Sequence, residues 1–420
     1  MLLENSRDIS MVAHVIEETT RRHRMIESFG SLYAGHVDFD DLGFDAPPLN
    51  DRWLSESQLN SVYTKMEAIA KVMDESGFDI FWMAEHHFQR EGYECLPNII
   101  MLAVHLAHLT KNIRIGCGFN VSPMWHPLRM AEDFATAEIL TKGRTVFGVA
   151  RGYHSREVEA FGSPMLDTDA NRELFEEQVD VIFKAFHQDS FSHKGKNYTI
   201  PPEVPYRGYN LKDITLVPRP VNRPVECWQP IVSASERGLR FMAKRHMVGI
   251  VGGGAAPGGG SDTVIREWQR IQAEEGIETD LGGNLAVGFS LHIADSEKKA
   301  IEEARPFFEE NMKMFAPLGF IRGLSDEQIT ALGEGGKSAR NANLPTLEEA
   351  VESGSWLVGT PESITEKLLD VQDRYPGLKY VNVGQVVGTP EEVIVEQLGR
   401  FGREIIPKIK SGGLGAAAGS

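Results

Sequence analysis

FWMAEHHFQREGY (81–93), SPMWHPLRMAED (122–133) and KGRTVFGVARGY (142–153), closed by AFG at 160–162, decide how this chain folds. Each polar cluster stands just beyond an apolar run of strand character. The first supplies two adjacent histidines behind a glutamate, the second an arginine on the next helix turn, the third an Arg-Gly-Tyr. A parallel α/β barrel builds its pocket from residues at the carboxyl ends of its strands, and three such clusters in succession suit that plan.

Working outward, apolar runs predict eight strands: Met25–Tyr33, Phe78–Met83, Ile113–Phe119, Thr145–Ala150, Gln229–Ser233, Met247–Val251, Leu285–His292 and Lys379–Gly384. Helices are expected between them at Ser57–Glu75, Asn98–His108, Leu128–Leu140, Asn171–His187 and Ser363–Arg374, with apolar side chains at core-facing spacing. The expected fold is therefore a (β/α)8 TIM barrel. A doubly wound open sheet is the rival arrangement.

Three stretches exceed a minimal barrel. Residues 1–24 form an N-terminal extension before a barrel domain at 25–410, and the small-residue run at 411–420 is expected as a tail. Within the barrel, insertions are expected near 188–228, after the fourth helix, and near 300–350, between strands seven and eight. Long excursions beyond barrel strands often become lids.

A formal charge of −17 argues against nucleic acid, whose phosphates attract basic surfaces. No run approaches the roughly 18 apolar residues of a membrane span, and no signal-peptide core is evident. Cys95, Cys117 and Cys227 show no CxxC spacing, so neither a disulfide framework nor a zinc ribbon is expected. A cytoplasmic protein is the expectation, with no metal.

His86 suits proton transfer or stabilisation of an oxygen-bound species because imidazole titrates near neutrality. Arg129 follows Pro127 at the start of a predicted helix, where free amides and a cation together hold phosphate. The alternative is a surface pair with Glu132 or Asp133. Ser233 and Ser235 stand before another helix, either as caps or as phosphate ligands. Tyr153 and His154, after the fourth strand, are expected on the same rim as His86. The run GGGAAPGGG (252–260) lacks a Gly-Lys-Ser/Thr ending and is expected to be only a flexible loop.

AEHHF, HPLRMAED, KGRTVFGVARGY and AFG, in this order, resemble the bacterial luciferase-like flavin monooxygenase family. The resemblance is most specific over residues 78–162, and continues through 231–251 and VGTPESITEKL (358–368). It implies a TIM barrel that takes reduced FMN from a separate flavin reductase. Dioxygen then gives a flavin hydroperoxide that oxygenates a small, mostly apolar molecule such as a terpene-like ring, ketone or aldehyde. His86 falls on the family's catalytic histidine, with Glu85 beside it to orient it or bind the ring edge. The implied cofactor residues are Ala84, Asn120, Arg129, Arg151, Tyr153, Ala234 and Ser235, with Arg129 and Ser235 on the phosphate. A homodimer is also implied.

This chain departs from the light-emitting catalytic subunit at two places. Ala234 replaces a glutamate, and Gly238 replaces a threonine three residues beyond Ser235. The phosphate site is thus expected to differ in detail. Two other readings keep the fold: a deazaflavin-dependent hydride-transfer enzyme, and a non-catalytic flavin-binding subunit.

Overall fold

Eight parallel strands close into a barrel in a computed structural model that describes residues 26–253, 259–321, 323–384 and 386–411. They are β1 (Ser28–Tyr33), β2 (Ile80–Met83), β3 (Arg114–Cys117), β4 (Thr145–Ala150), β5 (Cys227–Pro230), β6 (Val248–Val251), β7 (Leu285–Ile293) and β8 (Tyr380–Gly384). Each pairs with the next, and β8 pairs with β1, which closes the circle. The extension 1–24, most of the tail and the glycine-rich centre 254–258 lie outside the described residues.

Eight helices follow the strands in turn: α1 (Glu56–Glu75), α2 (Ile99–Leu109), α3 (Pro127–Leu140), α4 (Thr168–His187), α5 (Glu236–Ala243), α6 (Gly260–Glu274), α7 (Pro361–Arg374) and α8 (Glu391–Arg400). Local sequence sets their starts. Ser55 and Gln58 form a capping box on α1, Asn98 caps α2, and Pro127 occupies the first turn of α3.

Strand alternation divides the core in two. Phe81 and Met83 join the apolar layer under the helices, whereas Ile80 and Trp82 point into the barrel with Val146, Trp228 and Ala286. Trp82 lies over β3, where a Cβ on Gly116 would come within 2.1 Å of the indole. Its ring meets Trp228 edge-on at 5.0 Å, and Trp228 meets Tyr380 at 5.1 Å. Large side chains therefore fill the amino end of the barrel and leave the carboxyl end for chemistry.

The fifth strand lies earlier than its expected position at Gln229–Ser233, because Trp228 belongs to the interior layer. The excursion before it carries two small hairpins, His193–Lys194 with Thr199–Ile200 and Pro205–Tyr206 with Tyr209–Asn210. The excursion after β7 begins with a helix, Glu297–Phe315, and ends in an additional strand, Trp356–Gly359, that runs parallel to β7.

A buried charge cluster ties that helix to the loop after β1. The Glu310 carboxylate accepts from Tyr93 Oη at 2.5 Å, Arg52 Nη2 at 3.1 Å, Lys313 Nζ at 3.0 Å and the Gly43 amide at 2.9 Å. Glu310 and Lys313 side chains are wholly buried. Removing one member strands the others without compensation, so Glu310→Ala should cost about 3–5 kcal/mol of stability by denaturant unfolding. A loss below about 1 kcal/mol would show that the cluster does not hold the insertion in place.

Candidate active site

β2 ends at Met83, and the chain beyond it turns Ala84, Glu85 and His86 into buried positions at the carboxyl rim. The His86 amide donates to Leu96 O at 3.0 Å, which folds the Glu85–Leu96 loop back over its own start. Phe88 adopts a positive φ of 61° in this turn. The loop that ends β3 passes beside it, with a cis peptide at Gly118–Phe119.

His86 is gripped on both ring nitrogens. Nδ1 lies 3.3 Å from each Glu157 oxygen, and Nε2 lies 3.1 Å from Tyr153 Oη and 3.4 Å from Glu94 Oε1. Tyr153 donates to Glu94 Oε1 at 2.7 Å, while Glu94 Oε2 faces His154 Nε2 at 2.9 Å. The Gln89 amide nitrogen donates to Glu94 at 3.1 Å and to Glu157 at 3.0 Å. Tyr153 and His154 thus share the rim with His86, and Phe320 from the long excursion packs edge-on against Tyr153 at 4.9 Å.

The orienting carboxylate on the His86 ring is Glu157 and not Glu85. Glu85 instead accepts from the Val121 amide at 2.6 Å and Trp125 Nε1 at 2.7 Å, and lies 3.3 Å from His87 Nε2. Its work is to fix the loop after β3. That loop buries Asn120 completely; its Nδ2 donates to Gly148 O at 2.9 Å, but its Oδ1 accepts no hydrogen bond from the described residues.

Burial disfavours the charged form of His86, yet the facing Glu94 and Glu157 carboxylates outweigh it and raise its pKa. Burial pushes Glu94 and Glu157 up, and the histidines facing them reverse this, so both end below the usual carboxylate range. Burial and Glu94 hold the Tyr153 phenol well above its ordinary value.

These directions fix a stability window. The raised His86 contributes stability below its ordinary value of 6.5, and loses it as pH rises through the folded value. The depressed glutamates contribute above their ordinary 4.5, and lose it as pH falls through theirs. Glu157→Gln should therefore show a shallower alkaline decline of melting temperature than the parent chain. Parallel alkaline limbs would contradict the coupling.

A second cluster gathers at the carboxyl ends of β4 and β5. Arg151 Nη1 donates to Asn171 Oδ1 at 3.3 Å, and its pKa falls through burial and then through the positive charges of Arg172 and Arg237. Glu176 compensates them, accepting from Arg237 at 2.8 and 3.1 Å and lying 3.9 Å from Arg172. Ser235 precedes α5 without making a capping hydrogen bond. A Cβ on Gly238 would sit at ordinary contact distance, 3.6 Å from Arg172 Nη1 and 3.9 Å from Ser235 Oγ. Ala234 is exposed beside Ser235.

Arg129 takes the surface arrangement. Its side chain is 65% exposed and pairs with Glu132 at 3.4 Å and Asp133 at 3.7 Å on its own helix. Arg172 and Arg237, like Glu94, Glu157 and Gln89, were not singled out by sequence reasoning. One signal for the arginines was present: both stand near helix amino ends, where the dipole disfavours cations unless an anion is held there. His86, His154 and Glu157 also offer ligand atoms that all lie within 4.8 Å of one another.

The structure is thus a closed parallel barrel whose carboxyl rim carries a buried histidine–carboxylate cluster and a group of arginines after β4 and on α4 and α5. The luciferase-like monooxygenase family model matches residues 42–376, and the chain belongs to that family. It is 27% identical over 174 residues to the oxygenase component of flavin-dependent trigonelline monooxygenase from Acinetobacter baylyi, covering 41% of this chain and 44% of that one. It is 24% identical over 359 residues to 4-hydroxyprotoasukamycin monooxygenase from Streptomyces nodosus subsp. asukaensis, covering 84% and 89%. Other curated relatives are matched over only 36% and 38% of their own length.

Among solved structures, the oxygenating constituent of 3,6-diketocamphane monooxygenase from Pseudomonas putida, in complex with FMN, has the same fold. Its TM-score is 0.66 at 19% identity, over 91% of this chain and 99% of that one. An F420-dependent secondary alcohol dehydrogenase shares the fold at TM-score 0.60 and 16% identity, over 92% and 99%. The fold alone therefore admits either cofactor.

Proposed function

We propose that this protein is a monooxygenase that uses reduced FMN and dioxygen to oxygenate a small, mostly apolar organic molecule. The observation that carries this reading is the pairing of the buried His86 cluster with the arginine-lined cradle at one barrel rim, in a chain of this family. The residues present fit the cofactor. Arg151, Arg172, Arg237, Ser235 and the free amides of α5 suit a phosphate monoester. The orphaned Asn120 Oδ1 suits a ring N–H donor. On this reading Ala84 would flank the ring, and Arg129 would reach a phosphate only by leaving Glu132 and Asp133.

Reduced FMN supplies the electrons with which dioxygen is activated. The chain's part is to hold the cofactor, exclude water and place a proton at His86 Nε2, with Glu157 fixing the other face of the imidazole. Phe320, Phe88 and Phe161 bring apolar surface to the mouth near His87 and Tyr153, which favours an apolar substrate such as a terpene-like ring, ketone or aldehyde.

The same reading gives residues 25–410 as the catalytic unit and a separate reductase as the source of reduced FMN, in line with the oxygenase-component relative. It also gives a homodimer, since Met101 and Leu109 on α2 and Ile139 and Leu140 on α3 leave apolar side chains exposed on neighbouring helices. No helix among the described residues is long and apolar enough to cross a membrane, and the three cysteines are free, in keeping with a cytoplasmic protein.

The test is anaerobic titration with reduced FMN and, separately, with a reduced deazaflavin cofactor. Tighter binding of reduced FMN supports the reading. Preference for the deazaflavin would move the protein to hydride transfer, and binding of neither would remove the cofactor site.

A further inference from the structure

We propose that Glu94 is a proton relay between buried His86 and the half-buried His154, acting through His86 as a positioning and proton-supplying group. The inference deepens the monooxygenase reading, and only the turnover arm of its test rests on that reading.

Geometry carries it. Glu94 turns one oxygen to each histidine: Oε2 lies 2.9 Å from His154 Nε2, and Oε1 lies 3.4 Å from His86 Nε2. Tyr153 Oη bridges the wider gap, 2.7 Å from Glu94 Oε1 and 3.1 Å from His86 Nε2. The His86 side chain is only 5% exposed and the Glu94 side chain 3%, against 12% for His154. Glu157 occupies the Nδ1 face of His86, which leaves Nε2 as the exchanging nitrogen.

Charge favours the same route. The groups facing His86 are Glu85 and Glu94 from its own loop, Tyr153 and His154 from the segment after β4, and Glu157 from the short helix Ser155–Ala160; Gln89 touches Glu94 and Glu157, His87 touches Glu85, and Phe320, packed on Tyr153, adds no charge. A proton passing from doubly protonated His154 Nε2 to Glu94 Oε2, and, once the carboxyl turns, from that oxygen to Tyr153 Oη as Tyr153 gives its own proton to the His86 Nε2 lone pair, changes no total charge within the buried cluster. His154 regains its proton from solvent, and no electron moves. A lone charge moved through the same space would pay the full cost of burial.

Glu94→Gln keeps the size and one acceptor oxygen but cannot carry a proton. Histidine ring NMR on the full chain, with His86 assigned by His86→Gln, reads solvent exchange at Nε2–H. Exchange should slow by on the order of tenfold in Glu94→Gln and in His154→Gln. A purely structural Glu94 predicts the opposite sign, because looser packing admits water. In turnover with reduced FMN, His154→Gln should lower kcat with KM unchanged, and added imidazole should restore it. Unchanged or faster exchange in both variants overturns the relay. Slowed exchange in a chain that fails to bind reduced FMN leaves the relay standing and removes the monooxygenase reading instead.

Discussion

His86→Ala is expected to bind reduced FMN within about threefold of the parent chain (~0.7 kcal/mol) while losing about 10²–10⁴-fold in coupled oxygenation. The two effects separate because the imidazole and the phosphate cradle draw on different residues. His86 is held by Glu157, Tyr153 and Glu94, whereas the cradle is built from Arg151, Arg172, Arg237 and Ser235. Removing the ring deletes the group that presents a proton and leaves the Glu94 and Glu157 carboxylates repelling each other with only His154 to offset them. That repulsion destabilises the rim, so Glu157→Gln is the companion variant: it keeps an acceptor on Nδ1 and lowers the His86 pKa. Its turnover should decline at a lower pH than that of the parent. Unimpaired product yield in His86→Ala would remove its assigned role.

Arg172→Ala is expected to weaken reduced-FMN binding by about 1.5–3 kcal/mol, roughly 10–150-fold, as loss of a charge-assisted hydrogen bond does. Arg129→Ala is the direct comparison, because the family resemblance puts the phosphate on Arg129. Its side chain is exposed and already paired on its own helix, so a phosphate role requires it to reorganise. The sharper test runs in the opposite direction. Glu176 lies where an anion would sit, bound by Arg237 and close to Arg172. Glu176→Gln should therefore strengthen phosphate-bearing ligands while leaving riboflavin unchanged. Weaker FMN binding in Glu176→Gln, or a larger loss in Arg129→Ala than in Arg172→Ala, would return the phosphate to α3.

The barrel was legible because strands buried on both faces read as continuous apolar runs, as TVFGVA does at β4, and because helical periodicity fills the intervals. The strand Trp356–Gly359 was not, since WLVG opens directly into the helix signal PESITEKL and resembles its approach. At the rim, motif and position pointed to His86, Tyr153 and Asn120 as candidates. Their partners were not legible, because pairing is a property of the closed barrel. Glu157 reaches His86 across 71 residues of sequence, and Glu94 reaches Tyr153 across 59. In a charged run such as HSREVEAFG, nothing local distinguishes the buried Glu157 from the exposed Glu159. The resemblance put the phosphate on Arg129 through the HPLR motif, and the arginines that gather in space stand just beyond β4 and on α4 and α5.

The most direct measurement is stopped-flow absorbance on the protein loaded anaerobically with reduced FMN, then mixed with oxygenated buffer without substrate. A monooxygenase of this design shelters the cofactor from water and stray protons, so oxidised-flavin absorbance should return much more slowly than for free FMN, and more quickly again in His86→Ala. Return at the rate of free FMN in both proteins would contradict the account, because the rim would then neither hold the cofactor nor protect its reaction with oxygen.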